Sequence, residues 1–194
     1  MTNQGRIVTP KVVNAAGGYA KGVGEIAGVD IPVYSQRHQI LVTEPIKPLW
    51  DPMLMSFSRN FYFQQLPYGS IVAGYGDPAN EIIGHDLGSN WQFARAMARK
   101  MTLLIPILKN IHMVRQWSGS YTMSPDSQPI LGEHPGLQGY CMSVGYSSHG
   151  YMLAPVSGKM MAEYILEGKS TLPIEKLDIG CFERRELILE LSVV

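Results

Sequence analysis

The stretch Gly145–Gly168, GYSSHGYMLAPVSGKMMAEYILEG, decides the fold class. Its first seven residues form a glycine-punctuated turn. The rest reads as a helix running to about Glu167. Leu153, Val156, Met160, Met161, Tyr164 and Ile165 recur at helical spacing, and Gly168 supplies a C-terminal stop. Pro155 is expected in the first turn, where a missing N–H costs nothing. A helix start leaves backbone N–H groups open beside the positive end of its dipole. Gly145 and Gly150 are expected to let a ligand approach the main chain. Two readings stand at this point. The turn is either a seat for a group that becomes negative or an ordinary strand-to-helix loop.

Upstream, Tyr140–Val144 reads as a buried strand feeding that turn. Ile130-Leu-Gly132 begins another strand, Glu133–Gly136 is a surface turn, and Ser124–Pro129 is a proline-bounded turn. His112–Tyr121, HMVRQWSGSY, has strand character. Its parity puts Arg115, Trp117 and Gly119 on one side and Val114, Gln116 and Ser118 on the other. An arginine and a tryptophan on one face suit a carboxylate-binding wall, since guanidinium offers paired donors. An exposed face with a stacked Arg–Trp pair fits equally well. Near the N-terminus, Arg6–Thr9 and Lys11–Val13 read as short strands leading into Asn14-Ala-Ala-Gly-Gly18. A strand that ends in small residues before a helix is where an open α/β sheet meets ligands, or else a tight turn without one.

The middle is β-rich. Pro32–Glu44 tends to strand, and Phe61–Gln65 and Ser70–Ala73 form a hairpin through Leu66-Pro-Tyr-Gly69. Tyr62 faces away from Phe61 and Phe63, towards a cavity or as an outer cap. Asn90 to about Ile105 is amphipathic, with Phe93, Met97, Met101 and Leu104 as its stripe, and Pro106 ends it. Phe182–Glu186 starts a short terminal helix. The order implies two domains, the first discontinuous.

Composition narrows the function classes. The 194 residues carry 16 basic and 16 acidic side chains, with no Lys/Arg cluster, which argues against nucleic acid or an anionic membrane as partner. No apolar run reaches membrane-span length, and the N-terminal residues carry no signal-peptide core. Cys141 and Cys181 are far apart, match no metal spacing, and suggest a reducing, cytoplasmic compartment. No G-x-G-x-x-G occurs, and Gly17, Gly18, Gly22 and Gly24 lack its spacing.

Four ordered motifs, Val12–Gly17 (VVNAAG), Arg115–Gly119 (RQWSG), Ser124–Gly132 (SPDSQPILG) and His149–Pro155 (HGYMLAP), resemble the D-amino-acid-oxidase-like flavoproteins. That group includes glycine oxidase, the sarcosine oxidases and the dye-linked proline dehydrogenase β subunits. The turn GYSSHGYMLAP is most similar to the β-subunit branch. The resemblance spans about residues 5 to 170 and implies an α+β fold. It comprises a β-rich substrate domain with a long helix (29–128) and the C-terminal remnant of an α/β FAD-binding domain (1–28 with 129–194). Members begin with a Gly-rich nucleotide-binding segment, so the resemblance is to a C-terminal half. Completion by an N-terminal half or other subunits is expected, and so is self-association through uncovered sheet surface.

The resemblance implies FAD as cofactor of the complete protein, which this chain by itself need not hold, with Ala16 and Gly17 near its diphosphate or ribityl chain. Ser148, His149, Gly150, Tyr151 and Met152 would set backbone donors against the flavin ring. Arg115 would grip the carboxylate of a small amino-acid substrate, and Tyr62 and Met152 would line the substrate side. His149 would touch substrate or flavin, or be structural. Several sarcosine oxidases carry lysine where Met152 stands, which argues against the monomeric sarcosine oxidase type. The implied reaction is oxidation of a small, secondary amino acid such as sarcosine, glycine or proline to its imine, with no catalytic acid or base and no metal. The competing reading is a non-catalytic fragment or structural subunit.

Overall fold

The computed structural model describes residues 4–76 and 82–189. Eight strands are described: β1 (Val12–Asn14), β2 (Tyr34–Thr43), β3 (Leu54–Ser56), β4 (Phe61–Gln65), β5 (Ile71–Tyr75), β6 (Met113–Met123), β7 (Ile130–Glu133) and β8 (Tyr140–Val144). The α-helices are α1 (Ala20–Ala27), α2 (Trp91–Leu104), α3 (Gly150–Glu167) and α4 (Cys181–Arg184). The mixed helix-and-sheet class expected from the sequence is what the structure has. Two compact units divide the chain: residues up to Ser35 together with those from Tyr121 onward, and Gln36–Ser120. The divisions fall inside β2 and β6, several residues away from the boundaries read at 28/29 and 128/129.

The discontinuous unit is built on a three-stranded sheet in the order β1-β8-β7. β1 runs parallel to β8, with Val12, Val13 and Asn14 opposite Tyr140, Cys141 and Met142. β7 is antiparallel to β8. β8 is buried on both faces, which is why it reads as an uninterrupted apolar run. Tyr140, Met142 and Val144 pack with Ala20, Val29, Ile31 and Val33 on the α1 side. Cys141 and Leu131 pack with Met160 and Met161 of α3 on the other. Both cysteines are buried and free.

Asn14 anchors this unit. It is 2% exposed, and its Nδ2 donates to the Ala20 carbonyl (2.8 Å) and the Tyr140 hydroxyl (2.8 Å). Its Oδ1 accepts from the Ala16 N–H at 3.2 Å. Strand, turn, helix and neighbouring strand are thereby tied to one amide. Burial raises the Tyr140 phenol above its ordinary pKa, and the Asn14 bond pulls the other way.

The continuous unit holds the sheet β3-β4-β5-β2-β6. β4 and β5 form the expected hairpin, Phe61 opposite Tyr75 and Phe63 opposite Ala73. Leu41, Phe61, Phe63, Ala73 and Tyr75 pack against Phe93, Met97 and Met101 of α2. Tyr75 and Phe93 stack at 5.1 Å between centroids. Asn90 caps α2, its side chain accepting from the Phe93 N–H at 2.8 Å.

Four local expectations differ from the structure. Arg6–Thr9 forms no strand, having no sheet partner within the described residues. Leu104 is half exposed; the buried stripe of α2 is Phe93, Ala94, Met97 and Met101. α3 begins at Gly150, so Pro155 lies inside the helix, where it withholds the N–H that the Tyr151 carbonyl would accept. Val156, read as apolar stripe, is exposed, and burial on α3 begins at Ser157.

Replacing Asn14 by alanine leaves the Tyr140 hydroxyl, the Ala20 carbonyl and the Ala16 N–H without their shared partner. The expected loss is about 2–3 kcal/mol of stability, measured as a lower urea midpoint; an unchanged midpoint would show that the amide is not the anchor.

Candidate functional site

β1 and β8 are parallel neighbours, so their carboxyl ends lie at one end of the sheet. The turn after β1 carries Ala16 and Gly17, and the turn after β8 carries Gly145–His149. The structure therefore brings together, at the place where open α/β sheets bind ligands, two segments that the sequence could only read separately. Gly17 has φ +54, and a Cβ there would meet nothing within 4 Å. The glycine serves its backbone conformation, and its surface is bare. Among the described residues, the N–H groups of Gly17 and Gly18 donate to no protein acceptor.

The second turn is stiff. Ser147 and Ser148 both have positive φ, +45 and +84, an uncommon conformation for residues with a side chain. Ser147 is fully buried. Its N–H donates to the Thr122 carbonyl at 2.9 Å, and its Oγ accepts from the Ser124 N–H at 3.2 Å. Gly145, expected to admit a ligand, instead faces protein. With φ +73, it is buried, and a Cβ there would lie 3.1 Å from Ser124 Cβ and 3.3 Å from Val33 Cγ1.

The turn delivers His149 as N-cap of α3, without a side-chain cap hydrogen bond. The His149 N–H is used by the Tyr146 carbonyl at 2.9 Å. Among the described residues, no protein acceptor takes the N–H groups of Gly150, Tyr151 and Met152. Ser148, His149 and Gly150 are half buried, whereas Tyr151 is 98% exposed and Met152 69%. Uncapped donors at the positive end of an eighteen-residue helix suit a carboxylate, a phosphate or a ring that gains negative charge. Both turns thus offer uncapped N–H groups at one sheet end, a fit to a nucleotide-type cofactor.

The continuous unit has its own chemical face. Gln39 Oε1 accepts from the Asn90 N–H (2.9 Å) and from Gln116 Nε2 (3.1 Å), and Gln116 Nε2 also donates to the Asn90 carbonyl (2.8 Å). Gln39 and Gln116 therefore face α2. Strand alternation then places His38, Arg115 and Trp117 on the opposite face. Tyr62 joins them, because Phe61 and Phe63 fill the α2 side. The Arg115 guanidinium carbon lies 5.4 Å from the Trp117 ring centroid. Among the described residues it makes no ion pair. Both side chains are exposed, so the stacked-pair description of this strand face holds, and the guanidinium keeps its donors available.

Tyr62 is half buried, its ring lying over Gly74 of β5. His38 of β2 is 8% exposed, stacks with Tyr62 at 9° and 6.0 Å between centroids, and has Nε2 3.3 Å from the Tyr62 hydroxyl. Burial lowers the His38 pKa to about 4, so the imidazole is neutral near pH 7. His38 was not among the candidates read from the sequence. The available signal was its parity with Ile40 on a strand, opposite the core residues, together with a glycine inside the neighbouring strand. Below the α2 side of the same sheet, Leu41, Ile71, Met101 and Leu108 line a cavity of about 50 Å³. It is an apolar packing void away from the Tyr62 face.

No helix among the described residues is long and apolar enough to cross a membrane, and those residues hold no cluster suited to a metal ion.

Known proteins share this architecture. Residues 1–164 match the family model described as FAD dependent oxidoreductase. The sarcosine oxidase subunit beta of Rhodobacter capsulatus is 29% identical over 174 residues, covering 90% of this chain and 41% of that protein. Human mitochondrial sarcosine dehydrogenase is 28% identical, over 93% of this chain and 21% of its own length. Among solved structures, L-proline dehydrogenase from P. horikoshii superposes with a TM-score of 0.88 at 39% identity, covering 96% of this chain and 50% of that one. Glycine oxidase from Geobacillus kaustophilus shares the fold at a TM-score of 0.82 and 20% identity, over 91% of this chain and 47% of its own. The chain thus spans at most about half the length of these relatives.

The neutral His38 has a consequence for stability. Its folded pKa, about 4, lies below the unfolded value of 6.5. Between those values the unfolded chain takes up a proton that the folded one refuses, so stability falls as pH drops from 6.5 to 4, by up to about 3 kcal/mol. Urea titrations at pH 7 and pH 4.5 should show that loss, reduced in His38→Gln; an equal loss in the variant would assign it elsewhere.

Proposed function

Because the chain belongs to the FAD-dependent oxidoreductase family, we propose that it is the part of an enzyme that oxidises a small amino acid, by preference a secondary amine such as sarcosine or proline, to the imine. The observation that carries this reading is the pair of uncapped turns at one sheet end. FAD, when bound, supplies the acceptor for the hydride that leaves the substrate α-carbon.

In this reading Ala16 and Gly17 hold the diphosphate or ribityl part, and Ser148–Met152 present main-chain donors to the ring. The N–H groups of Gly150, Tyr151 and Met152 favour negative charge beside them, supported by the α3 dipole, which contributes roughly 0.3–1 kcal/mol when exposed and up to about 2 when partly buried. Arg115 holds the substrate carboxylate through paired N–H donors, with Trp117 steadying the guanidinium plane. Tyr62 lines the substrate side with a hydroxyl and a flat ring. Met152 adds a flexible apolar wall, and His149 stands at the same helix start without serving as acid or base. The chain's residues orient and stabilise charge; no proton abstraction by a strong base is required of them. β1 is an edge strand with Val12 and Val13 about half exposed, and in the assembled enzyme that edge is covered by a further segment or subunit.

The direct test is absorbance with added FAD of this chain together with the N-terminal half or subunit that completes it, followed by a sarcosine, proline and glycine panel with a dye acceptor. Flavin bands and dye reduction are expected; a completed protein that stays colourless refutes the assignment. Two variants then locate the roles. Arg115→Lys should raise KM for the amino acid roughly 10- to 100-fold at unchanged flavin content, and an unaltered KM would remove Arg115 as the carboxylate anchor. Tyr151→Asp puts a carboxylate in the first turn of α3 and should lower the flavin midpoint potential, whereas no shift would detach the ring from this turn.

A further inference from the structure

Tyr62, on the Arg115-bearing face, is fixed by two close contacts, with Gly74 and with His38. A Cβ at Gly74 would lie 2.6 Å from the Tyr62 hydroxyl oxygen and 2.7 Å from the carbon that bears it. Gly74 has no unusual backbone angle, so glycine is needed there for space alone. It lets the phenol cross the neighbouring strand, Tyr62 opposite Gly74 and Gly74 opposite Ile40. At the end of that path the hydroxyl meets His38 Nε2 at 3.3 Å, with the two rings nearly parallel. The phenol is thus held along its length by a missing side chain and at its tip by an imidazole.

We propose that His38 is the positioning residue for Tyr62. It holds the phenol flat over Gly74 and fixes the direction in which the hydroxyl can hydrogen-bond with a bound amino acid. The inference rests on the proposed function for the identity of the ligand, but the His38–Tyr62 coupling itself does not. Left to rotate, a phenol O–H donates or accepts in any direction. Engagement by the ring nitrogen narrows the directions in which the hydroxyl can bond. His38 touches no substrate in this arrangement and acts through Tyr62.

The test is a double-mutant cycle in the FAD-loaded protein, with His38→Phe, which keeps a stacked ring, and Tyr62→Phe, which keeps the ring and loses the hydroxyl. Each single variant should raise KM for the amino acid roughly 2- to 10-fold, the range of one hydrogen bond, with a smaller change in kcat. The double variant should be no worse than the weaker single one. His38→Gln, which retains a polar group where Nε2 stood, should recover most of the loss. Effects that multiply in the double variant overturn the proposal. A second readout needs no activity: the His38 Nε2 nitrogen resonance should move in Tyr62→Phe, and an unmoved resonance also overturns it. If the wild-type protein oxidises no amino acid while the resonance does move, the functional assignment fails and the coupling stands. Gly74→Ala gives an independent check. It should displace the phenol and reproduce the KM of Tyr62→Phe, and a wild-type KM there counts against the positioning.

Discussion

The pairing of Val12–Asn14 with Tyr140–Met142 is the constraint on which the discontinuous unit depends. It joins segments 126 residues apart, counted between Asn14 and Tyr140. Because the strands are parallel, both chains leave the sheet at the same end. Each then turns into a helix, α1 through Gly17 and α3 through Ser147–Ser148. One interaction thus sets two glycine- and serine-rich turns side by side and two helix starts beside them. An antiparallel pairing of the same residues would send the turns to opposite ends and leave no common seat. The Asn14 amide reinforces the arrangement by bonding across the pair to Tyr140 and along the chain to Ala20.

The continuous unit obeys a different rule, strand alternation on a sheet with one covered face. α2 covers one side through Phe93, Met97 and Met101. The polar contacts among Gln39, Asn90 and Gln116 carry the same division to the end of the sheet. The opposite parity carries Tyr62 and His38, packed on each other, and the exposed Arg115 and Trp117. A sheet with one apolar core and one chemically furnished face is a rigid support for side chains that must hold their direction, which is what orienting a small polar ligand requires.

Local signals read well where one segment contains its own reason. The β4–β5 hairpin and the Gly168 stop are both short-range chemistry. The failures have physical causes of the same kind. Proline favours a first turn, yet α3 starts at Gly150, five residues before Pro155 and directly after the positive-φ turn through Ser147 and Ser148. Gly145 looked like a ligand approach, but the residues it approaches, Ser124 and Val33, are brought there by folding. His38 lacked any local mark, since its partner Tyr62 lies two strands away in the sheet.

From the sequence alone came the fold class, the succession of turns and helices, the parity of Arg115 with Trp117, and a motif order sufficient to suggest the family. All of these are properties of neighbouring residues or of their order along the chain. Only the tertiary structure decided which turns share an end of a sheet, which backbone donors stay uncapped, and which imidazole grips Tyr62. Those depend on strand pairing across long separations, where the energy comes from contacts that no local pattern encodes.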